Sequence, residues 1–138
     1  MLSRSLTALC GMPTGAASWD TLFRHFNISH GRGLFGYHTG EKIAIKTNLS
    51  STNRLAGWCA ADTTTYSLVN KTDFVNTSPQ IVRSILRQLV NVVGVSQSDI
   101  SVGDPVCYYP NEYYDSCHAE FPDVHYLDYA GKNGRTKA

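Results

Sequence analysis

The sequence is short of what most catalytic and membrane-bound classes require. Its four cysteines, Cys10, Cys59, Cys107 and Cys117, stand far apart and form no CxxC pair, so the thiolate spacing of zinc and dithiol redox sites is absent. No apolar run approaches the roughly 18 to 20 residues that span a bilayer, which excludes a transmembrane helix. The opening Met1 to Met12 has one Arg and a broken apolar patch ending at Cys10, too short for a secretory signal, and reads as ordinary sequence. Charge is scarce at 17% and balanced, with 12 Lys and Arg against 11 Asp and Glu for a net +1. With no basic stripe to neutralise a run of phosphates, nucleic acid is not an expected partner. There is likewise no GxSxG, HExxH or P-loop string.

What remains is the composition of a soluble globular protein, 42% hydrophobic and 11% aromatic over 138 residues, the size of one ordinary domain. The cysteines read as buried free thiols, although four would also make two disulfides in an exported protein. Asn27, Asn48, Asn70 and Asn76 each begin an N-x-Ser/Thr triplet, which chance supplies in a Ser-, Thr- and Asn-rich chain, so the compartment stays open.

Periodicity marks a short N-terminal helix and, after it, two further helices among three strands. Residues 18–26 place Trp19, Leu22, Phe23 and Phe26 on one face of a short helix, with Ser18 as its N-cap. A Gly-rich loop over 29–40 follows. Residues 41–49 alternate Ile43, Ile45 and Thr47 against Lys42, Ala44 and Lys46, as a half-buried strand does. The stretch 50–77 is polar, anchored only by Trp58, Tyr66 and Phe74; a loop of that length carries function or hides local structure. Ser78 and Pro79 then open the strongest helix, whose apolar face runs from Ile81 to Val93 before Gly94 ends it. Strands over 99–103 and 123–127 flank a second helix signal that begins at Pro110 and cannot pass Pro122. Strand, helix, strand, helix, strand predicts consecutive right-handed βαβ units. The expected fold is therefore α/β, a small parallel sheet of about three strands with covering helices. Its divisions are an N-terminal helix and loop over 1–40, an α/β core over 41–130 and a flexible tail over 131–138.

Three segments carry a resemblance: GEKIAIKTNL, TSPQIVRSILRQL and SDISVGDP. Their Gly-x-Lys strand ending in Asn-Leu, Thr- and Pro-headed helix and Gly-Asp-Pro strand end resemble the domain-of-unknown-function 362 family over about residues 16–135. The resemblance implies part of a larger Rossmann-like domain in a longer chain, with no agreed activity. Some relatives add Fe–S modules, but the clustered cysteines those need are missing here, and no cofactor is carried over.

Candidate chemistry is sparse. GRGLFG at 31–36 matches a dinucleotide-binding string, but it follows a helix and precedes a strand, the reverse of what the phosphate contact requires. His25, His30, His38, Cys107, Cys117, His118 and His125 match no ligand spacing, so no metal is expected. Topology is more informative, because open parallel sheets bind ligands beyond the carboxyl ends of their strands. Those ends present Asn48, Asp104 and Asp128, with Lys46 just inside the first strand and Ser78 at a helix start that favours anions. Lys46, Asn48, Ser78 and Asp104 are thus the candidate ligand-binding residues, for an anionic or phosphorylated small molecule or a hydrated cation. The plain alternative makes Asp104 and Asn48 turn caps. Tyr108, Tyr109, Tyr113 and Tyr114 are either an aromatic wall or packing. The competing reading of the whole is a non-catalytic assembly module that contacts missing parts of its parent chain or itself.

Overall fold

The computed structural model describes residues 2–53, 55, 59–69 and 76–138; Trp58, Asn70 and Phe74 lie outside them. The chain forms two compact units, one of Met1–Glu41 with Ser84–Ser96 and one of Lys42–Arg83 with Gln97–Ala138.

The first unit holds α1, Leu2–Cys10, and α2, Gly15–Ser29, which pack on each other. α2 starts earlier than the apolar spacing predicts. Thr14 is extended and its hydroxyl accepts the Ala17 N–H at 3.2 Å, while Ser18 is buried inside the helix and donates to the Thr14 carbonyl at 2.9 Å. The small residues Gly15 to Ala17 let the helix begin without contributing to its apolar period, which is why the pattern misses them. At the other end the Gly-rich loop is fixed from within, for the buried Asn27 amide donates to the Phe35 carbonyl at 2.9 Å. That amide nitrogen is spent inside the fold.

The second unit is a fully parallel sheet of β1 (Ile43–Lys46), β2 (Ile100–Gly103), β3 (His125–Asp128) and β4 (Thr136–Lys137), in that spatial order. Mixed helices and parallel strands make the protein an α/β fold. Ile43 stands opposite Ile100 and Val102 opposite Tyr126, and Ile100, Val102 and Tyr126 are completely buried. Each such side chain contributes about 1.5 to 3 kcal/mol when removed from water. The intervening positions Ala44, Lys46, His125 and Thr136 are exposed, so one face of the sheet is much more open than the other. Gly103 permits the close approach of β2 and β3, since a Cβ there would collide with the Leu127 carbonyl.

Helix α3, Pro79–Gln88, is capped by Ser78, whose hydroxyl accepts the Ile81 N–H at 3.4 Å. It runs on into a π-helical turn, Leu89–Val93, and stops at Gly94 with φ 85° and its N–H on the Leu89 carbonyl, as the sequence predicts. Helix α4, Asn111–His118, buries Tyr113 and Cys117.

The tail over 131–138, expected to be flexible, carries structure of its own: Thr136 and Lys137 pair with Leu127 and Asp128, and Arg135 is buried. A two-residue strand has no alternation to detect, which is why three strands are expected and four are found. The described part of the 50–77 stretch has local structure, one of the two readings its length allows. It contains a 3₁₀ turn at Ser50–Thr52, an Ala61–Leu68 bridge, and a turn in which the Asp62 carboxylate accepts the Thr64 and Thr65 N–H groups at 2.8 and 2.7 Å. Such side-chain capping reads as mere polarity in sequence.

Candidate functional site at the strand ends

All four candidate residues fall in the second unit, at the carboxyl ends of β1 and β2 or at the head of α3. Lys46 and Asp104, 58 positions apart, meet directly: Lys46 Nζ is 2.7 Å from Asp104 Oδ2 and also donates to the Thr47 carbonyl. Parallel pairing of Lys46 with Gly103 is what delivers Asp104 to the lysine.

Asp104 is buried, and burial alone would push its carboxyl upward. Lys46, the N–H groups of Val106 (3.2 Å) and Leu49 (3.4 Å), and the Cys107 thiol outweigh that effect and hold it below the ordinary carboxylate range. The contact to Val106 is the Asx turn of the plain alternative, so Asp104 is well compensated by the protein itself. Cys107 shows the opposite response. Burial, then the neighbouring Asp104 charge, raise its thiol to about 12, which leaves it a hydrogen-bond donor and a poor nucleophile.

Asn48 and Ser78 come together through Thr77. The Asn48 N–H donates to Thr77 Oγ1 at 2.9 Å, and the Thr77 N–H donates to the Asn48 carbonyl at 2.7 Å. From there a groove of about 350 Å3 opens along the start of α3, lined by Asn76, Ser78, Gln80, Glu112 and Tyr113 among others. Glu112 is absent from the sequence candidates; it accepts the Leu68 N–H with both carboxylate oxygens at 3.1 and 3.2 Å.

The end of β3 holds a separate buried cluster. Asp128 is fully buried; its Oδ1 accepts the Ala130 and Gly131 N–H groups at 2.9 and 2.5 Å, while Oδ2 finds no hydrogen-bond partner among the described residues. The fully buried Tyr66 hydroxyl faces Asp128 without reaching hydrogen-bond geometry with any described residue, and burial, followed by the charge and side-chain interaction of Asp128, raises it to about 12. Arg135 lies beside them, its guanidinium 4.0 Å from the Tyr114 ring and 5.0 Å from the Tyr66 ring. It donates to the Tyr109 and Asn133 carbonyls and to Asn111 Oδ1 at 2.8 Å. The sequence marks Tyr66 only as an aromatic anchor of a polar stretch, and no signal marks Arg135, which sits in a Gly- and Lys-rich tail.

The tyrosines near Asp104 divide by burial. Tyr109 and Tyr113 are core, with Tyr109 edge-on to Tyr126 at 5.8 Å, and burial raises Tyr109 well above the ordinary phenol value. The GRGLFG loop lies between α2 and β1, with Gly31 and Gly33 at positive φ. Among the described residues no three His, Cys, Asp or Glu side chains are grouped to hold a metal ion, and no helix is long and apolar enough to cross a membrane. No protein-family model, curated protein or solved structure matches the chain.

Proposed function

We propose that the strand ends of β1 and β2, with the groove at the head of α3, bind a small anionic molecule, phosphate-bearing in the first instance. The observation that carries this reading is Lys46. Its side chain is 64% exposed, yet its ammonium is held in place by Asp104 and the Thr47 carbonyl. Two of its three protons are occupied and the third is directed by those contacts, so the ammonium meets an anion at little further ordering cost. Asp104 in this reading positions Lys46 and does not touch the ligand. Asn48 and the Ser78 hydroxyl supply neutral hydrogen bonds, and the positive end of the α3 dipole adds to the attraction.

The resemblance to the domain-of-unknown-function 362 family supports placing this α/β unit within a larger Rossmann-like domain, and implies no reaction. A second reading, a non-catalytic assembly module, is favoured by the exposed Ala44, Lys46, His125 and Thr136 on one sheet face, because parallel sheets are ordinarily covered on both faces.

A thermal-shift titration with inorganic phosphate, sugar phosphates and nucleotides separates the two, since a ligand that binds only the folded state raises Tm with concentration. The anion reading expects at least one saturable shift that Lys46→Met removes. The assembly reading expects no shift with any of these, and concentration-dependent sedimentation instead.

A further inference from the structure

The first unit contains a cavity that the anion site does not use. It has a volume of about 220 Å3, and its lining includes Trp19, Asp20, Phe23, Tyr37, Val92 and Val93. Helix α2 contributes Trp19 and Phe23 one turn apart, their ring centroids separated by 6.1 Å at 37°. Tyr37, returning from the Gly-rich loop, brings a third ring to within 5.6 Å of Phe23 at 51°. Phe23, inclined to each of the other two rings, shares the lining of one cavity with them. The polar atoms of two of them, Trp19 Nε1 and the Tyr37 hydroxyl, are out of solvent contact and have no hydrogen-bond partner among the described residues. What Trp19 and Tyr37 offer the cavity is therefore ring surface and not donors. The charged group in the lining is acidic: Asp20, paired at 2.6 Å with Arg24, both half-exposed.

The geometry points to a binding site for an organic ammonium ion, of the quaternary or methylated-amine class. Aromatic faces carry negative potential and attract soft, poorly hydrated cations, Trp most strongly. Several inclined rings with a nearby carboxylate are what such an ion requires, and a trimethylammonium group, about the size of the benzene that fills an engineered cavity of roughly 150 Å3, fits the volume available. An inorganic cation would keep its water and gain little. An anion would face ring electrons and Asp20. Because Arg24 shares the Asp20 carboxylate, the rings supply most of the attraction and the acid a smaller part.

The test uses choline and its neutral isostere 3,3-dimethylbutan-1-ol on the full chain, by calorimetric titration and by indole fluorescence in a Trp58→Phe background, where Trp19 is the single tryptophan. The expected result is saturable choline binding with a Kd on the order of 1 mM, and at least roughly tenfold weaker binding of the isostere. Phe23→Leu and Tyr37→Leu each weaken choline by roughly tenfold, and Asp20→Asn by less. Far-UV circular dichroism identifies any variant that fails to fold, and the choline-to-isostere ratio in the unaltered chain is independent of all of them. Equal affinity for the two compounds reduces the cavity to an apolar pocket and overturns the assignment. So does an absence of saturation by choline, or full retention of choline affinity in both ring variants.

Discussion

Asp104 shows how one residue type serves opposite ends depending on its surroundings. A carboxylate kept for a ligand is undersupplied with donors until the ligand arrives, whereas Asp104 already receives Lys46, two backbone N–H groups and a thiol. Asp104→Asn is therefore expected to lower stability by about 1 to 3 kcal/mol in chemical denaturation. Its acid dependence has a defined sign. A folded-state value below the unfolded one adds stability above the unfolded pKa, and that stability is lost as pH falls through the folded pKa. The wild-type chain should lose stability faster than the Asn variant on acidification below about pH 4. Arg135 makes a related point. Arg135→Met keeps the bulk between Tyr66 and Tyr114 but leaves the buried Asp128 without its neighbouring cation, and should cost on the order of 3 kcal/mol in urea unfolding. A loss under 1 kcal/mol would show that the cation contributes little to holding β4.

At the scale of elements, β2 is the pivot of the sheet, and Gly103 is its narrowest point. Gly103→Ala should push β2 from β3, lowering stability by on the order of 3 kcal/mol and weakening amide protection at Val102 and Leu127 in hydrogen exchange. What could be read beforehand follows from how local each signal is. The cap at Ser78, the Pro79 entry and the Gly94 stop of α3 involve residues within a turn of one another, and all three are found where the sequence puts them. The meeting of Lys46 and Asp104 was legible through topology, because parallel neighbours align their carboxyl ends. The purpose of Asp104 was not, since its donors come from Leu49, Val106 and Cys107 and depend on backbone turns. The Tyr66, Asp128 and Arg135 cluster was legible only in pieces: the sequence offers Tyr66 as an anchor and Asp128 as a strand end, but nothing in a basic tail says that a guanidinium will be buried beside them and join segments some sixty residues apart.

For the molecule as a whole, the buried titratable groups set its response to alkali. Cys107, Cys117 and Tyr66 are raised, chiefly by burial, to about 12, 11 and 12 from ordinary values of 9.0 and 10.0. Raised values contribute stability that is complete below the unfolded pKa and lost as pH rises through the folded one. The chain should hold its stability to about pH 9 and lose it steeply between about 9 and 12, in denaturation curves collected across that range. Native thiol labelling at pH 8 should reach Cys10 and Cys59 and spare Cys107 and Cys117, with all four reacting in guanidinium.

The register that sets Ile43 against Ile100 also has a consequence in time. During synthesis β1 leaves the ribosome well before its partner exists; at roughly 5 to 20 residues per second, an interval of several seconds separates them. Throughout it, Ile43 and Ile45 have no sheet to join, and because the strands lie side by side in the order they are made, each strand waits for the one made after it. Lys42 and Lys46, which frame the strand, guard the waiting edge, since charged termini disfavour pairing with another copy. Nascent chains arrested before Ile100 should be open to protease at β1, and chains extended through Ala138 and clear of the ribosome should not.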